Sequence, residues 1–137
     1  GGLMSGGYAN NSGLINCSGA SCTITGGTLV GGTAHAGSAL GGASIDKAGG
    51  VLTIGGNAKI AGGVSIRDGA KLVLKDKAVI DMNMAGQTQK KFNIQIKKGS
   101  CSIYLNDTTG TALATASSGK WDVNYDVDGN ITGITAK

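Results

Sequence analysis

The residues best spaced for chemistry lie near the carboxyl end of the chain, where oxygen-bearing side chains recur at every second position. They are Asp126, Asp128, Asn130 and Thr132. Oxygen ligands have this alternating spacing in a calcium-binding loop. The run lacks the glycine at its sixth place and the glutamate at its twelfth that such a loop uses. A hairpin turn at Asp128-Gly129 explains the same residues. We therefore predict no metal site and keep Asp126, Asp128 and Asn130 only as candidate ligands.

Few residues are suited to catalysis. His35 is the only histidine, and no serine or cysteine motif accompanies it, so we expect a surface loop residue rather than a catalytic base. Pairs of carboxylates can cleave glycosidic bonds. The charged residues between positions 46 and 81 are also explained if they lie in turns that face water. We predict no catalytic residues, no cofactor and no enzyme activity, with a polysaccharide lyase or glycoside hydrolase as the alternative. The charged residues considered are Asp46, Asp68, Asp76, Asp81 and Arg67.

The three cysteines stand at positions 17, 22 and 101. Residues 22–24 align with residues 52–54, which places Cys22 at an inward position where a thiol serves as a small apolar group. Residues 101–103 have the same alternating form. No pair has a metal-binding spacing such as C-x-x-C. We expect buried, inert thiols, and a Cys17–Cys22 disulfide remains an alternative.

Composition excludes several classes of protein. The chain of 137 residues has 26 glycines and no proline, and it contains no glutamate, so strands and turns are favoured over helices. No apolar run is long enough to span a membrane. Its net charge is +4, but the lysines are not interleaved with aromatic residues and Arg67 is the only arginine, so we predict no nucleic-acid partner. All charged residues follow position 45.

An internal repeat organises the middle of the chain. Residues 43–80 nearly superimpose on themselves after a shift of about twenty positions. Residues 51–54 fall on 71–74, residues 58–60 fall on 78–80, and residues 43–45 fall on 64–66 with one extra residue. Each segment alternates like a strand, and glycine pairs or charged turns separate the segments. Three segments per repeat predict an all-β fold, a right-handed three-sided parallel β-helix with about 20 residues per coil.

The repeat predicts which side chains form the interior. The predicted structural core is Ile24, Ile45, Leu52, Ile54, Ile60, Val64, Ile66, Leu72, Leu74 and Ile80. Three further positions are predicted to point inward, namely Val30, Ala58 and Ala78. The residues predicted to point outward are Thr23, Thr25, Leu29, Ser44, Thr53, Lys59, Ser65, Val73 and Val79. Residues 31–42, which include His35, are predicted to bulge from a corner.

The period fails after Met84, and longer strands with two-residue alternation follow. Residues 97–100 are expected to form either a hairpin turn or another corner, and residues 121–131 are expected to form a hairpin. We predict three parts. Residues 1–21 are a glycine-rich N-terminal coil that starts the solenoid, residues 22–90 form the parallel β-helix, and residues 91–137 form an antiparallel cap.

The glycine-rich runs at residues 26–32 and 49–64 resemble the repeats of large bacterial surface proteins, including adhesin-like and autotransporter-passenger β-helices. The resemblance covers residues 22–84. It implies an extracellular location at the cell surface and a structural or adhesive role, as a rigid stalk or filament segment.

The predicted partners follow from the end of the solenoid and from the resemblance. An uncapped N-terminal coil has unpaired strand edges, and such edges recruit further strands. We therefore expect self-association or contact with adjoining repeats of the same protein. A host or surface glycan is a further expected partner. The alternative function is a carbohydrate-binding or polysaccharide-degrading β-helix in which the excursion at residues 31–42 and the outer aspartates line a groove, with Asp46 and Asp68 as the residues to test.

Overall fold

The computed structural model describes residues 2–5, 15–31, 45–81 and 93–137, which form strands joined by turns. None of the described segments is a helix of the length and apolar character needed to cross a membrane. The strands are β1 Leu3–Ser5, β2 Ile15–Ser18, β3 Cys22–Ile24, β4 Thr28–Val30, β5 Ile45–Ala48, β6 Val51–Ile54, β7 Lys59–Ala61, β8 Val64–Arg67, β9 Lys71–Leu74, β10 Val79–Asp81, β11 Ile94–Lys98, β12 Cys101–Leu105, β13 Ala114–Ala116, β14 Gly119–Tyr125 and β15 Ile131–Ala136.

The strands form three sheets, and successive strands of the coils move from one sheet to the next. The first sheet has the order β1-β4-β7-β10, the second β2-β5-β8-β11-β14-β15, and the third β3-β6-β9-β12-β13. Each strand from β4 to β12 pairs in parallel with the strand three places earlier. This is a three-sided parallel β-helix, as predicted. The right hand of the winding stays a prediction, based on the preference of parallel crossover connections.

Like residues stack in rows inside the coils. Ile54 pairs with Leu74, and Ile60 pairs with Ile80, as the repeat predicts. In the predicted core, Ile24 is half-buried and packs against the buried cluster. The other nine predicted core residues are buried, namely Ile45, Leu52, Ile54, Ile60, Val64, Ile66, Leu72, Leu74 and Ile80. These rows form one continuous apolar interior that no single coil could bury alone.

The predicted orientation of β4 is wrong. Leu29 pairs with Ile60 of β7 and with Met4 of β1, so Leu29 belongs to an inward row and is buried. Val30 therefore faces the opposite side of the sheet. The side-chain period of a strand is two residues, so an alignment error of one residue exchanges its two faces.

The predicted alignment of β5 is also wrong, by two residues. Ile45 pairs with Val64 and Lys47 pairs with Ile66, whereas the repeat aligns Ile45 with Ile66. A two-residue shift keeps every side chain on its face, so Ile45 is buried in either register. The consequence concerns Lys47, which takes an inward position and is completely buried.

Besides Leu29, two further residues predicted to point outward are buried, Ser65 and Val73. Ser65 pairs with Asp46 on one side and with Gln95 on the other. Val73 likewise lies between two paired strands of the third sheet. A strand in the middle of a sheet has side-chain neighbours on both sides, and these cover its outer face.

Corners between the sheets repeat from coil to coil. Gly56 and Asp76 occupy equivalent corners and have left-handed φ values of 58° and 60°. The N–H of Gly56 donates to the Asp76 carboxylate at 2.9 Å, and the N–H of Lys77 donates to the Gly56 carbonyl at 3.1 Å. The coils are therefore hydrogen-bonded at this corner as well as along the strands.

The carboxyl-terminal strands complete the solenoid and then reverse direction. β11 pairs in parallel with β8 and β12 with β9, so residues 97–100 form a corner between two sheets, which is one of the two predicted arrangements. β13 and β14 add antiparallel strands, and β14 and β15 form the expected hairpin. Parallel pairing begins in β1 and continues through β12. The three-part division at residues 21 and 90 stays a prediction.

Candidate functional site

The first coil consists of β1, β2 and β3, each of which is the last strand of its sheet. In the described part of the chain, no strand pairs with the outer edges of these three strands. Leu3 is 71% exposed and Met4 is 50% exposed, while Ile15 and Ile24 are only partly buried against the core. This end of the solenoid therefore presents both unpaired strand edges and apolar side chains.

The opposite end is covered by the carboxyl-terminal hairpin. The N–H of Ile80, on the last described strand of the first sheet, donates to the Tyr125 hydroxyl at 3.0 Å. The N–H of Ile131 donates to the Asp76 carbonyl at 2.9 Å. Trp121 and Val123 join the buried cluster. The hairpin thus contributes both hydrogen bonds and apolar side chains at this end, so the two ends of the solenoid differ.

Three reactive side chains meet inside the first two coils. Cys17 pairs in register with Lys47, which pairs with Ile66 in the next coil. Cys17, Lys47 and Ile66 therefore form one inward row. Cys22 begins β3 and pairs with Leu52. Burial, a side-chain hydrogen bond with Cys17 and the Cys17 charge raise the pKa of the Cys22 thiol, and the positive charge of Lys47 opposes this shift. Cys17 and Lys47 therefore lie close enough to Cys22 to affect its thiol.

Lys47 was missed by sequence reasoning, although it is the most unusual residue of the interior. Its amine donates to the carbonyl of Gly49 at 2.7 Å, so the side chain folds along its own strand toward the corner. The signal that could have revealed it is the pattern of apolar residues two apart in aligned strands. Ile45 and Lys47 match Val64 and Ile66 if the extra residue in the repeat is placed earlier.

The candidate carboxylates Asp46 and Asp68 both contact Arg67. The Arg67 Nε lies 3.6 Å from the Asp46 carboxylate, and its Nη1 lies 2.5 Å from the Asp68 carboxylate. Asp46 is largely buried and its Oδ1 has no hydrogen-bond partner in the described residues. Both carboxylates are therefore directed at one guanidinium, which neutralises charge at this corner.

A groove near the first coil does not contain the candidate carboxylates. Neither Asp46 nor Asp68 contributes to its walls, and none of the described residues that line it is acidic. A glycan bound there would meet backbone, amide and amine groups. The groove is lined by Gly2, Thr25, Gly26, Gly27, Thr28, Asn57 and Lys59.

The candidate calcium ligands lie in the turn of the β14–β15 hairpin. The Asp126 carboxylate accepts hydrogen bonds from the N–H of Asp128 and the N–H of Asn130, each at 2.9 Å. The Asn130 amide donates to the same carboxylate. Hydrogen bonds from Asn130 chiefly lower the pKa of Asp126. Asp126 therefore stabilises the turn with its own chain, and the described residues contain no cluster of three or more metal-binding side chains.

The remaining candidates are dispersed. Asp76 lies at a corner and binds the Gly56 N–H, and Asp81 ends β10 on another sheet. His35 and the predicted excursion around it lie outside the described residues. The structure thus brings together Asp46, Asp68 and Arg67 from the outer set.

No protein-family model, curated protein or solved structure matches the chain. The two unlike ends of the solenoid and the side chains within its first coils are therefore the features from which a function is inferred.

Proposed function

We propose that this chain is a non-catalytic structural module of an extracellular bacterial surface protein, in which a rigid β-solenoid contacts a further coil through its first coil. The further coil belongs either to adjoining repeats of the same protein or to a second copy of the chain. The module serves as part of a stalk or an adhesive surface. The glycine-rich repeats and their resemblance to bacterial surface solenoids support the location.

The single observation that carries this proposal is the difference between the two ends. Unpaired edges of parallel strands are templates for additional strands, and the exposed Leu3 and Met4 add apolar surface beside them. At the other end, β14 pairs with β11, β13 pairs with β12, and the Tyr125 hydroxyl accepts a hydrogen bond from the Ile80 N–H of β10. A solenoid with one open and one covered end is suited to a terminal position in a longer array.

The covered end also limits how copies of the chain can associate. A filament built from identical chains needs two complementary surfaces on each copy, whereas a closed pair uses one surface twice. With its carboxyl-terminal end covered, this chain pairs through the first coil alone. We therefore expect a head-to-head dimer of the isolated chain, and we place filament growth in the full array of repeats rather than in this chain.

The proposal is tested by light scattering of the purified chain over a wide concentration range. We expect a concentration-dependent dimer and no larger species. Met4→Lys places a charge in the inward row at the open end, where Met4 pairs with Leu29. Since two such charges would face each other in a head-to-head pair, it should weaken association on the order of tenfold or more.

Val127→Lys is the matched control, because Val127 is fully exposed in the hairpin turn at the other end. This variant should associate like the unsubstituted chain. A monodisperse monomer at every concentration would contradict the proposal, as would equal weakening by both substitutions.

A further inference from the structure

We propose that Cys17 and Cys22 form an intramolecular disulfide across the corner between β2 and β3, which fixes the first coil of the solenoid covalently. The proposal identifies a covalent modification site inside the coil. It rests on the inward positions of the two thiols on either side of one corner, on their nearness and on their accessibility.

The register of the strands brings the two cysteines to the same corner from opposite sides. Cys17 lies in β2 opposite Lys47, and Cys22 opens β3 opposite the fully buried Leu52. Both therefore occupy inward positions, separated by the turn at residues 19–21. Gly19 in this turn has a φ of 72°, which lets the chain bend sharply between the two strands.

The two thiols are close enough for Cys17 to affect Cys22. Burial and Cys17 raise the pKa of the Cys22 thiol, and both cysteines are free thiols in this structure. Inward positions on either side of one corner direct both side chains into the same part of the coil, and a bond between the two sulfur atoms would close a small loop. The pair is thus prepared for oxidation by its fold rather than by a chance encounter.

Accessibility distinguishes this pair from the third cysteine. Cys17 and Cys22 are partly exposed, because the first coil lies at the open end, whereas Cys101 is completely buried. The Cys101 thiol donates to the carbonyl of Lys98. An oxidant can therefore reach the first-coil pair and not Cys101, which has no cysteine partner within its own coil.

The oxidant required is a small-molecule disulfide of the glutathione class. One thiolate of the pair attacks a sulfur of this disulfide and releases one thiolate of the oxidant. The second thiol of the pair, on losing its proton, attacks the mixed disulfide and releases the other. Two protein thiols become one disulfide, and one disulfide of the oxidant becomes two thiols.

Lys47 is a neighbouring amine that could form a cross-link with a cysteine in place of the disulfide. Its positive charge lowers the pKa of the Cys22 thiol, but burial and Cys17 raise that pKa by more. Its amine is hydrogen-bonded to the Gly49 carbonyl, which directs it along its own strand. We therefore expect the sulfur atoms to bond to each other, with no Cys–Lys cross-link.

The experiment is peptide mapping by mass spectrometry after equilibration in glutathione buffers, with free thiols alkylated under denaturing conditions. In excess oxidised glutathione, the native chain should lose the mass of two hydrogen atoms and take up alkylating reagent only at Cys101. A peptide containing both Cys17 and Cys22 should carry the bridge. Excess reduced glutathione should restore both thiols.

The matched variants are Cys17→Ser, Cys22→Ser and Cys101→Ser. The first two should abolish the internal bridge while leaving a native circular dichroism spectrum, and Cys101→Ser should keep it. Complete alkylation of Cys17 and Cys22 in the oxidising buffer would overturn the proposal. So would a stable mixed disulfide with glutathione, a bridge between chains, or a cross-link to Lys47.

This inference is independent of the proposed pairing between coils. The bridge lies within one chain and is read by mass, whereas association is read by light scattering. A bridged monomer would contradict the proposed pairing alone, and a dimer with two free thiols would contradict the disulfide alone.

Discussion

Lys47 is a charged residue at an inward position, which the apolar Ile66 occupies in the next coil. It lies between Cys17 and Ile66 in the inward row of the second sheet and is completely buried. Taking a charged amine out of water costs several kcal/mol, and its bond to the Gly49 carbonyl returns only part of this cost. The residue therefore carries an energetic penalty that an apolar side chain of similar length would avoid.

We expect Lys47→Met to raise the free energy of unfolding by about 1–3 kcal/mol, because methionine fills a similar volume without the desolvation penalty. The measurement is urea unfolding at neutral pH under reducing conditions. Lys59→Met is the control, since Lys59 is exposed on β7 and should change stability by no more than about 0.5 kcal/mol. Destabilisation by Lys47→Met would show that the bond to Gly49 outweighs desolvation.

At the scale of the elements, the corners decide how closely successive coils approach. A Cβ on Gly56 would lie 2.1 Å from the carbonyl oxygen of Thr25 in the preceding coil. Asp76 adopts nearly the same φ one coil later, so a left-handed backbone alone does not demand glycine at this type of corner. The close approach to Thr25 does.

We predict that Gly56→Ala destabilises the protein by about 3–4 kcal/mol, because left-handed strain and a backbone clash add together. Gly129→Ala separates the two effects, since Gly129 also has a positive φ, but its Cβ would meet nothing within 4 Å. That control should cost only about 1–2 kcal/mol. Chemical denaturation of both variants provides the comparison, and equal losses would refute the role assigned to Thr25.

At the scale of the whole molecule, the solenoid is a stack with unlike ends. Interactions in such a stack are made between neighbouring coils, so each end needs its own means of satisfying strand edges. The carboxyl-terminal hairpin does this at one end through Tyr125 and Ile131. In the described residues, no strand pairs with the outer edges of the first coil, and in the proposed function a further coil pairs there.

Tyr125→Phe tests whether the hairpin acts as a cap. Removing the hydroxyl deprives the Ile80 N–H of its acceptor, and we expect a loss of about 1 kcal/mol. Hydrogen exchange should accelerate roughly five- to tenfold at the Ile80 amide. Tyr104→Phe is the control, because Tyr104 lies in β12 on a different sheet. In this variant, hydrogen exchange at the Ile80 amide should stay unchanged. Unaltered exchange in Tyr125→Phe would mean that this bond does not protect the end of the first sheet.

The sequence by itself determined the architecture and most of the core, because the repeat specifies strand spacing and side-chain alternation. The stacking of Ile54 on Leu74 needs only these local patterns. The same reasoning favoured a hairpin over a calcium loop at Asp126, since an Asp-Gly turn is a local signal. An uncapped N-terminal coil was also predicted, and in the described residues no strand pairs with the outer edges of β1, β2 and β3.

The tertiary structure alone decided the register of strands outside the clearest repeats, and with it the contents of the candidate site. Leu29 and Lys47 face inward because of their partners in neighbouring coils, and the repeat permits more than one alignment of their strands. The meeting of Cys17, Cys22 and Lys47 follows from that register. Parallel pairing joins segments that are far apart in the chain. A shift of one or two residues in the register of such a pair, which the repeat does not fix, changes which side chains meet inside the coil.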